Sequence, residues 1–215
     1  LIGRIDILFD APNYSSTPGQ TCYFAWPFSC SRESFLEALP IEGEWQGKIA
    51  YLDRDGVIIR GFEDYVNSPD EVEVLAGAPK AIGDLRREGF RICIVTNQSP
   101  VGRGIWSREN LANIHDRVRS EIISEDHDAI LDLTLHSPYA PWHNSWARKP
   151  NPGMVLKSKY KYNLNLKKSF VIGDRWRDIG VAQKTQCISI LIDRNYDEKM
   201  IFKPKYIVKK IGDIY

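Results

Sequence analysis

The sequence predicts an α/β protein with a doubly wound, mainly parallel sheet, and three observations carry that expectation. From Gly47 onward, short apolar runs alternate with amphipathic stretches, the texture of strand and helix following one another. Four of the apolar runs end in polar residues, and in open α/β sheets ligands bind beyond the carboxyl ends of the strands, where loops and helix N-termini converge. The 215 residues are 43% hydrophobic and 27% charged, close to the globular average and long enough for one full domain plus an appendage.

The first 46 residues carry no sustained period, and Asn13 to Gly19 reads as loop. Ser31 to Leu39 is predicted as a brief helix with Ser31 as N-cap and Pro40 as its stop. A boundary near residue 46 makes residues 1–46 an N-terminal extension and residues 47–215 the main domain. The aromatic residues Tyr23, Phe24, Trp26, Phe28 and Trp45 suit that extension to cover the domain's sheet edge or to dock a partner.

Within the domain, Ile49 to Leu52 is a buried-strand run, and Leu75 to Glu88 is a helix stopped by Gly89. Arg91 to Val95 is the second strand, followed by a helix that Ser107 caps and that carries Glu109, Leu111, Ile114 and Val118. Ile130 to Leu135 is the third strand, and residues 136–151 form a loop. Pro152 suits the first turn of a helix running to about Tyr162. Ser169 to Ile172 and Cys187 to Ile192 are the fourth and fifth strands.

Lys and Arg number 29 against 28 Asp and Glu, a net charge of +1, so no bulk field draws the chain to nucleic acid or an anionic membrane. No apolar window of membrane-spanning length is present and residues 1–30 lack a signal-peptide pattern, so a cytoplasmic location without a membrane partner is expected. The only methionines are Met154 and Met200, so a chain opening at Leu1 is expected to be a fragment, a processed product or an alternative-start product. Cys22, Cys30, Cys93 and Cys187 include no C-x-x-C pair, and Cys93 and Cys187 read as small core residues.

The polar strand ends carry the chemistry. Asp53 follows the first strand, Thr96-Asn97 the second, His136 the third and Gly173-Asp174 the fourth. In Asp53-Arg54-Asp55-Gly56, two acids two residues apart repel each other unless a cation or a proton intervenes, and Gly56 lets the backbone turn Asp55 back beside Asp53. Thr96-Asn97-Gln98-Ser99 offers a hydroxyl and backbone N–H groups for phosphoryl oxygens, and the fork of Arg103 is a candidate phosphate ligand. Arg148 and Lys149 lie before a helix start, where two cations gain if an anion binds between them. Asp174 is placed to ligate a metal, while Asp178, one helical turn later, is placed to hold Lys149 or a metal-bound water.

Taken in order, Asp53-Arg54-Asp55-Gly56, Thr96-Asn97-Gln98, Arg148-Lys149-Pro150 and Gly173-Asp174 with Asp178 resemble the four motifs of the haloacid dehalogenase superfamily of phosphatases. The likeness spans about residues 47–195, and its details look most like the branch of D,D-heptose 1,7-bisphosphate and histidinol-phosphate phosphatases. The resemblance implies a Rossmann-like fold and a Mg²⁺-dependent phosphomonoester hydrolase acting on a small-molecule phosphate ester. It casts Asp53 as the nucleophile that forms an aspartyl-phosphate and Asp55 as the acid and base. It gives Mg²⁺ to Asp53, the backbone carbonyl of Asp55, and Asp174, and it gives the phosphoryl charge to Thr96 and Lys149.

One departure from that branch stands out. Relatives carry a zinc loop with Cys-x-His and Cys-x-Cys pairs before Arg-Lys-Pro, whereas here the stretch reads His136-Ser137-Pro138-Tyr139 to His143, then Ser145-Trp146-Ala147. Two histidines fall short of the four ligands of a structural zinc, so zinc is not expected, and Tyr139, Trp142 and Trp146 are expected to pack the loop instead. About 20 residues separate the first strand from its helix, too few for a large cap domain. The open site that follows suits a sugar phosphate such as a heptose 1,7-bisphosphate. Histidinol phosphate and polynucleotide 3′-phosphate ends are the alternatives, the balanced charge counting against nucleic acid. A catalytically silent binding module is the rival of another class, and the presence of Asp53, Asp55 and Asp174 favours the enzyme.

Overall fold

The computed structural model describes residues 47–214; the extension of residues 1–46 and its helix at Ser31 to Leu39 lie outside the described residues. Six strands form one sheet: β1 (Ile49–Leu52), β2 (Arg91–Asn97), β3 (Leu133–Ser137), β4 (Phe170–Gly173), β5 (Ile188–Ile192) and β6 (Tyr206–Val208). Their order is β3-β2-β1-β4-β5-β6, and every adjacent pair is parallel. The chain winds outward from β1 through β2 to β3, returns to β4 on the other side of β1, and winds outward again. That reversal opens a crevice between the carboxyl ends of β1 and β4, the place where such sheets bind ligands.

Four helices cover the sheet: α1 (Ala78–Arg87), α2 (Arg108–Glu125), α3 (Gly153–Tyr162) and α4 (Trp176–Thr185). Alternation along each strand divides the apolar residues between two cores. Ala50, Leu52, Ile92, Ile94 and Ile172 face one core with Ile82, Leu85, Ile114 and Val118 from α1 and α2. Tyr51, Cys93, Val95, Leu135 and Val171 face the other with Met154, Val155, Val181 and Ala182 from α3 and α4. Burial on both faces makes the strands a rigid base for whatever projects from their ends.

Several boundaries differ from the sequence expectation for physical reasons. The first helix begins at Ala78 because Val74 bridges to Ile59 and the Leu75 amide donates to the Ile58 carbonyl at 2.9 Å, holding that stretch extended. The third strand runs from Leu133 to Ser137, starting three residues and ending two residues later than its apolar run suggested. Asp132 causes the offset: buried against Arg86, it accepts the Ile92 amide at 2.7 Å, so pairing with β2 starts at Leu133 opposite Cys93. His136 and Ser137 therefore belong to β3 and not to a loop. Ser107 does cap α2, accepting the Asn110 amide at 2.9 Å. The turn at Ser99–Gly102 and the three-residue β6 had no counterpart in the apolar pattern. Between β1 and α1 the described chain holds one 3₁₀ turn, Pro69–Glu71, and no inserted domain.

Candidate functional site

Asp53 leaves β1 with its amide still in the sheet, donating to the Ile172 carbonyl of β4 at 2.9 Å. Strand pairing therefore delivers Asp53 and Asp174 to opposite sides of the same crevice, because each follows one of two neighbouring parallel strands. One turn into α4, Asp178 reaches back to the same point, and carboxylate oxygens of Asp53, Asp174 and Asp178 lie within 4.8 Å of one another. Two glycines make room for this. A Cβ on Gly56, whose φ is +82°, would collide with the Asp174 carboxylate, and a Cβ on Gly173 would collide with that of Asp178. The structure thus gives Gly56 a task beyond turning the chain: it admits Asp174.

Lys149 sits between the acids with 3% of its side chain exposed, its Nζ 2.8 Å from Asp53 and 2.6 Å from Asp178. Burial opposes the ammonium charge, but Asp178 and Asp53 outweigh it and hold the group above the usual lysine range. Three carboxylates against one ammonium leave a surplus of negative charge in a nearly dry crevice. Burial, then Asp53 and Asp178, push the Asp174 carboxyl up to about 7. Burial pushes Asp178 up to about 6, with the Asp53 charge adding to it and Lys149 working against it. Asp174 receives the Tyr196 hydroxyl on Oδ2 at 2.9 Å, while its buried Oδ1 has no hydrogen-bond partner among the described residues. An acidic cluster with a surplus charge and an orphaned carboxylate oxygen is a chemical fit for a divalent cation.

Asp55 is held differently. Its carboxylate turns from the cluster to the fork of Arg54, whose Nε and Nη2 donate at 3.0 to 3.1 Å, and to Gln98 Nε2 at 2.8 Å. The same Gln98 amide donates to Thr96 Oγ1 at 2.8 Å, which ties the end of β2 to the turn after β1.

The remaining expected phosphate ligands divide. Asn97 exchanges two hydrogen bonds with the Lys149 backbone, at 3.1 and 3.0 Å, so its amide fixes the loop that carries the lysine. Arg148 donates to the Tyr139 carbonyl at 2.6 Å and is half-buried. Arg103 is exposed and lies over the Trp142 ring, 6.0 Å away. His136, expected at a strand end, is instead buried inside β3 beside His115, and burial followed by the charges of Arg54 and Arg108 lowers its imidazole to about 4. His143 accepts the Ala140 amide at 3.0 Å and meets Tyr139 edge-on, so the two histidines of the altered loop serve different neighbours. Of the aromatics expected to pack that loop, Trp142 and Trp146 are largely exposed.

Three participants escaped the sequence reading. Arg54 was visible only as the residue between two acids, and Gln98 only as part of a strand-end motif. Tyr196 follows β5 in a stretch without periodicity, where Arg175 stacks on its ring at 3.4 Å and bonds Glu198 at 3.1 Å. No local pattern announces such contacts.

With this geometry in hand, comparison with known proteins is informative. The HAD-hydrolase-like family model matches residues 146–214. D-glycero-beta-D-manno-heptose-1,7-bisphosphate 7-phosphatase of Bordetella bronchiseptica is 30% identical over 154 residues, covering 72% of this chain and 85% of the relative. D-glycero-D-manno-heptose-1,7-bisphosphate 7-phosphatase of Thermosynechococcus vestitus is 28% identical over 181 residues, covering 75% of this chain and 90% of the relative. Among solved structures, D,D-heptose 1,7-bisphosphate phosphatase from B. bronchiseptica, complexed with magnesium and phosphate, superposes with a TM-score of 0.69 at 26% identity. That match covers 77% of this chain and 94% of the other.

Proposed function

The chain belongs to the haloacid dehalogenase-like phosphatases, and from that premise we propose that it removes the C7 phosphate of a heptose 1,7-bisphosphate with Mg²⁺ as cofactor. The observation that carries the reading is the meeting of Asp53, Asp174, Asp178 and Lys149 at the β1–β4 crevice, with a buried Asp174 oxygen left free. Asp53, Asp174 and the backbone carbonyl of Asp55 are the groups that would hold Mg²⁺, which when bound supplies charge neutralisation for the phosphoryl oxygens.

The protein's own residues account for the rest. Asp53 is the nucleophile: a carboxylate oxygen bonds to phosphorus as the ester P–O bond breaks, and the departing alkoxide takes a proton from Asp55 to leave as the alcohol. Water then gives a proton to the Asp55 carboxylate and attacks the aspartyl-phosphate, releasing inorganic phosphate and restoring Asp53. Lys149 holds Asp53 in place at 2.8 Å and counters the phosphoryl charge. Asp178 anchors Lys149 at 2.6 Å and receives the Arg175 amide at 3.2 Å at the α4 N-terminus. Thr96 offers its hydroxyl, Asn97 fixes the Lys149 loop, and Arg148 and Arg103 are candidate cationic contacts for the rest of the molecule.

The test is phosphate release with Mg²⁺ from D-glycero-D-manno-heptose 1,7-bisphosphate, histidinol phosphate and a 3′-phosphorylated oligonucleotide, in wild type and Asp53→Asn. Preference for the heptose ester and loss of all release in the variant are expected. A variant as active as wild type refutes the nucleophile, and preference for either other ester refutes the substrate.

A further inference from the structure

Asp55 shares a tetrapeptide with Asp53, yet its carboxylate does not join the acidic cluster. Three nitrogens hold it instead through four hydrogen bonds, two on each oxygen: Nε and Nη2 of Arg54 donate to Oδ1, and Nη2 of Arg54 and Nε2 of Gln98 donate to Oδ2, at 2.8 to 3.1 Å. A carboxylate has about four acceptor sites, so these bonds fill both oxygens and fix the plane of the group, and a proton is taken up only as one of them yields. The two holders are built into the interior. Arg54 and Gln98 are both fully buried, whereas the Asp55 side chain keeps 31% exposure.

Arg54 is constrained from both ends. Its backbone carbonyl accepts amides of Val57, Ile58 and Ile59 at 2.9 to 3.4 Å, which closes the turn after β1. Its guanidinium has Asp55 as its one anionic partner among the described residues, and its buried Nη1 has no hydrogen-bond partner there. The buried imidazoles of His115 and His136 feel the Arg54 charge but stay neutral, so they offer no competing anion. Burying an arginine with an unfilled N–H is unfavourable by itself, which makes a fork aimed at a single carboxylate hard to explain by stability alone. Gln98 is similar: its Nε2 is used twice while its buried Oε1 has no hydrogen-bond partner among the described residues.

We propose that Arg54 and Gln98 are positioning residues that clamp the Asp55 carboxyl in the orientation from which it exchanges a proton with the leaving-group oxygen. The proposal rests on the assignment of Asp55 as proton donor and acceptor in the reaction above. Both residues act through Asp55 and touch no substrate. Their contribution is thus confined to the proton transfer that accompanies P–O cleavage.

Leaving groups separate this role from a structural one. A 4-nitrophenolate leaves without a proton, whereas an alkoxide needs one, and kcat/KM reports the steps through formation of the phosphoenzyme. For Arg54→Met, kcat/KM on an alkyl monophosphate that the wild type hydrolyses should fall about 10²-fold, against a few-fold on 4-nitrophenyl phosphate. Gln98→Leu should show the same selectivity with a smaller loss, and Arg54→Lys should recover part of it. In an Asp55→Asn background, neither substitution should change the ratio of the two substrates further. Equal losses on both substrates, or no loss on either, overturn the proposal, and so does a further change of ratio in the Asp55→Asn background. Should Arg54→Met not fold, Gln98→Leu decides by the same criteria. Wild-type protein that hydrolyses neither substrate overturns the phosphatase reading itself and the clamp with it. An active wild type with unselective variants overturns the clamp alone.

Discussion

Replacing Lys149 by methionine tests the electrostatic logic of the crevice most directly. The substitution keeps the length of the side chain and removes the one ammonium that lies 2.8 Å from Asp53 and 2.6 Å from Asp178. Three carboxylates then remain within 4.8 Å. At an effective dielectric of about 20, two like charges at that separation repel by about 3 kcal/mol, and removing one partner of a buried pair typically costs about 3–5 kcal/mol. For a domain of this size each kcal/mol moves Tm by about 2–4 °C, so the variant in chelator at pH 8 should melt roughly 6–20 °C below wild type. Two treatments should shrink that gap. Lowering the pH to 5 protonates carboxyls already pushed up to about 7 and about 6. Adding Mg²⁺ supplies the missing positive charge. Thermal unfolding followed by circular dichroism, with wild type alongside under each condition, reads the effect. A gap of the same size at pH 5, at pH 8 and with Mg²⁺ would refute the reasoning, because lost packing alone responds to none of these.

Wild-type protein without metal carries a related signature. Asp174 and Asp178 bind protons more tightly folded than unfolded, so the stability they contribute is present at low pH and is lost as pH rises through about 6 and about 7. His115 and His136 act oppositely, since burial depresses them, and their effect is half complete at the ordinary histidine value of about 6.5 and complete only about one pH unit above it. From pH 6.5 to 8 a carboxyl loss of about 1 kcal/mol is nearly offset by a histidine gain of about 0.8 kcal/mol, so Tm in chelator should stay nearly level, whereas with Mg²⁺, which keeps the carboxylates ionised and removes their loss, it should rise by about 2–3 °C; the same pH dependence with and without Mg²⁺ contradicts the burial of the cluster. Gly56→Ala should lower Tm by roughly 2–8 °C through left-handed strain of about 1–2 kcal/mol, and should weaken Mg²⁺-dependent activity at least tenfold because its Cβ displaces Asp174. Titrating Mg²⁺ against activity checks the second part, and wild-type Mg²⁺ dependence would show that Asp174 needs no such room.

How much of this was legible in the sequence follows from what local pattern can encode. Ile49–Leu52 and Arg91–Asn97 announce themselves by composition, and the rule that ligands gather beyond strand ends singles out Asp53, Thr96 and Asp174 from the sequence alone. His136 shows where the rule fails. The apolar run at Ile130 suggested a strand ending before it, but Asp132 spends its carboxylate on Arg86 and the Ile92 amide, so the strand starts at Leu133 and ends two residues beyond the expected Leu135. A long-range ion pair decided the matter, and no window of neighbouring residues contains it. Tyr196 and Arg194 were invisible for the same reason: Arg194 donates to the Gly56 carbonyl at 2.9 Å across 138 residues of chain.

The division between legible and illegible residues also has a physical meaning for the site. Residues that pattern reveals are those the sheet itself delivers, and their placement follows from strand pairing and α4 geometry. Those that pattern hides, Arg54, Gln98 and Tyr196, are the groups that hold the delivered carboxylates at fixed orientations. The two sets are stabilised differently. Strand pairing and two apolar cores support the first whatever the charge state of the crevice, whereas the second consists of polar contacts whose strength depends on which carboxylates are ionised. Conditions that alter the charge of the crevice, such as proton or Mg²⁺ concentration, should therefore reorient side chains at the rim while the sheet beneath them stays put. Backbone amide exchange in β1 and β4 should accordingly be unchanged by Mg²⁺ at pH 8, with protection gained in the Asp53–Gly56 turn and the Asp174–Asp178 segment, and a change spread through both strands would show that the crevice and the sheet are one cooperative unit.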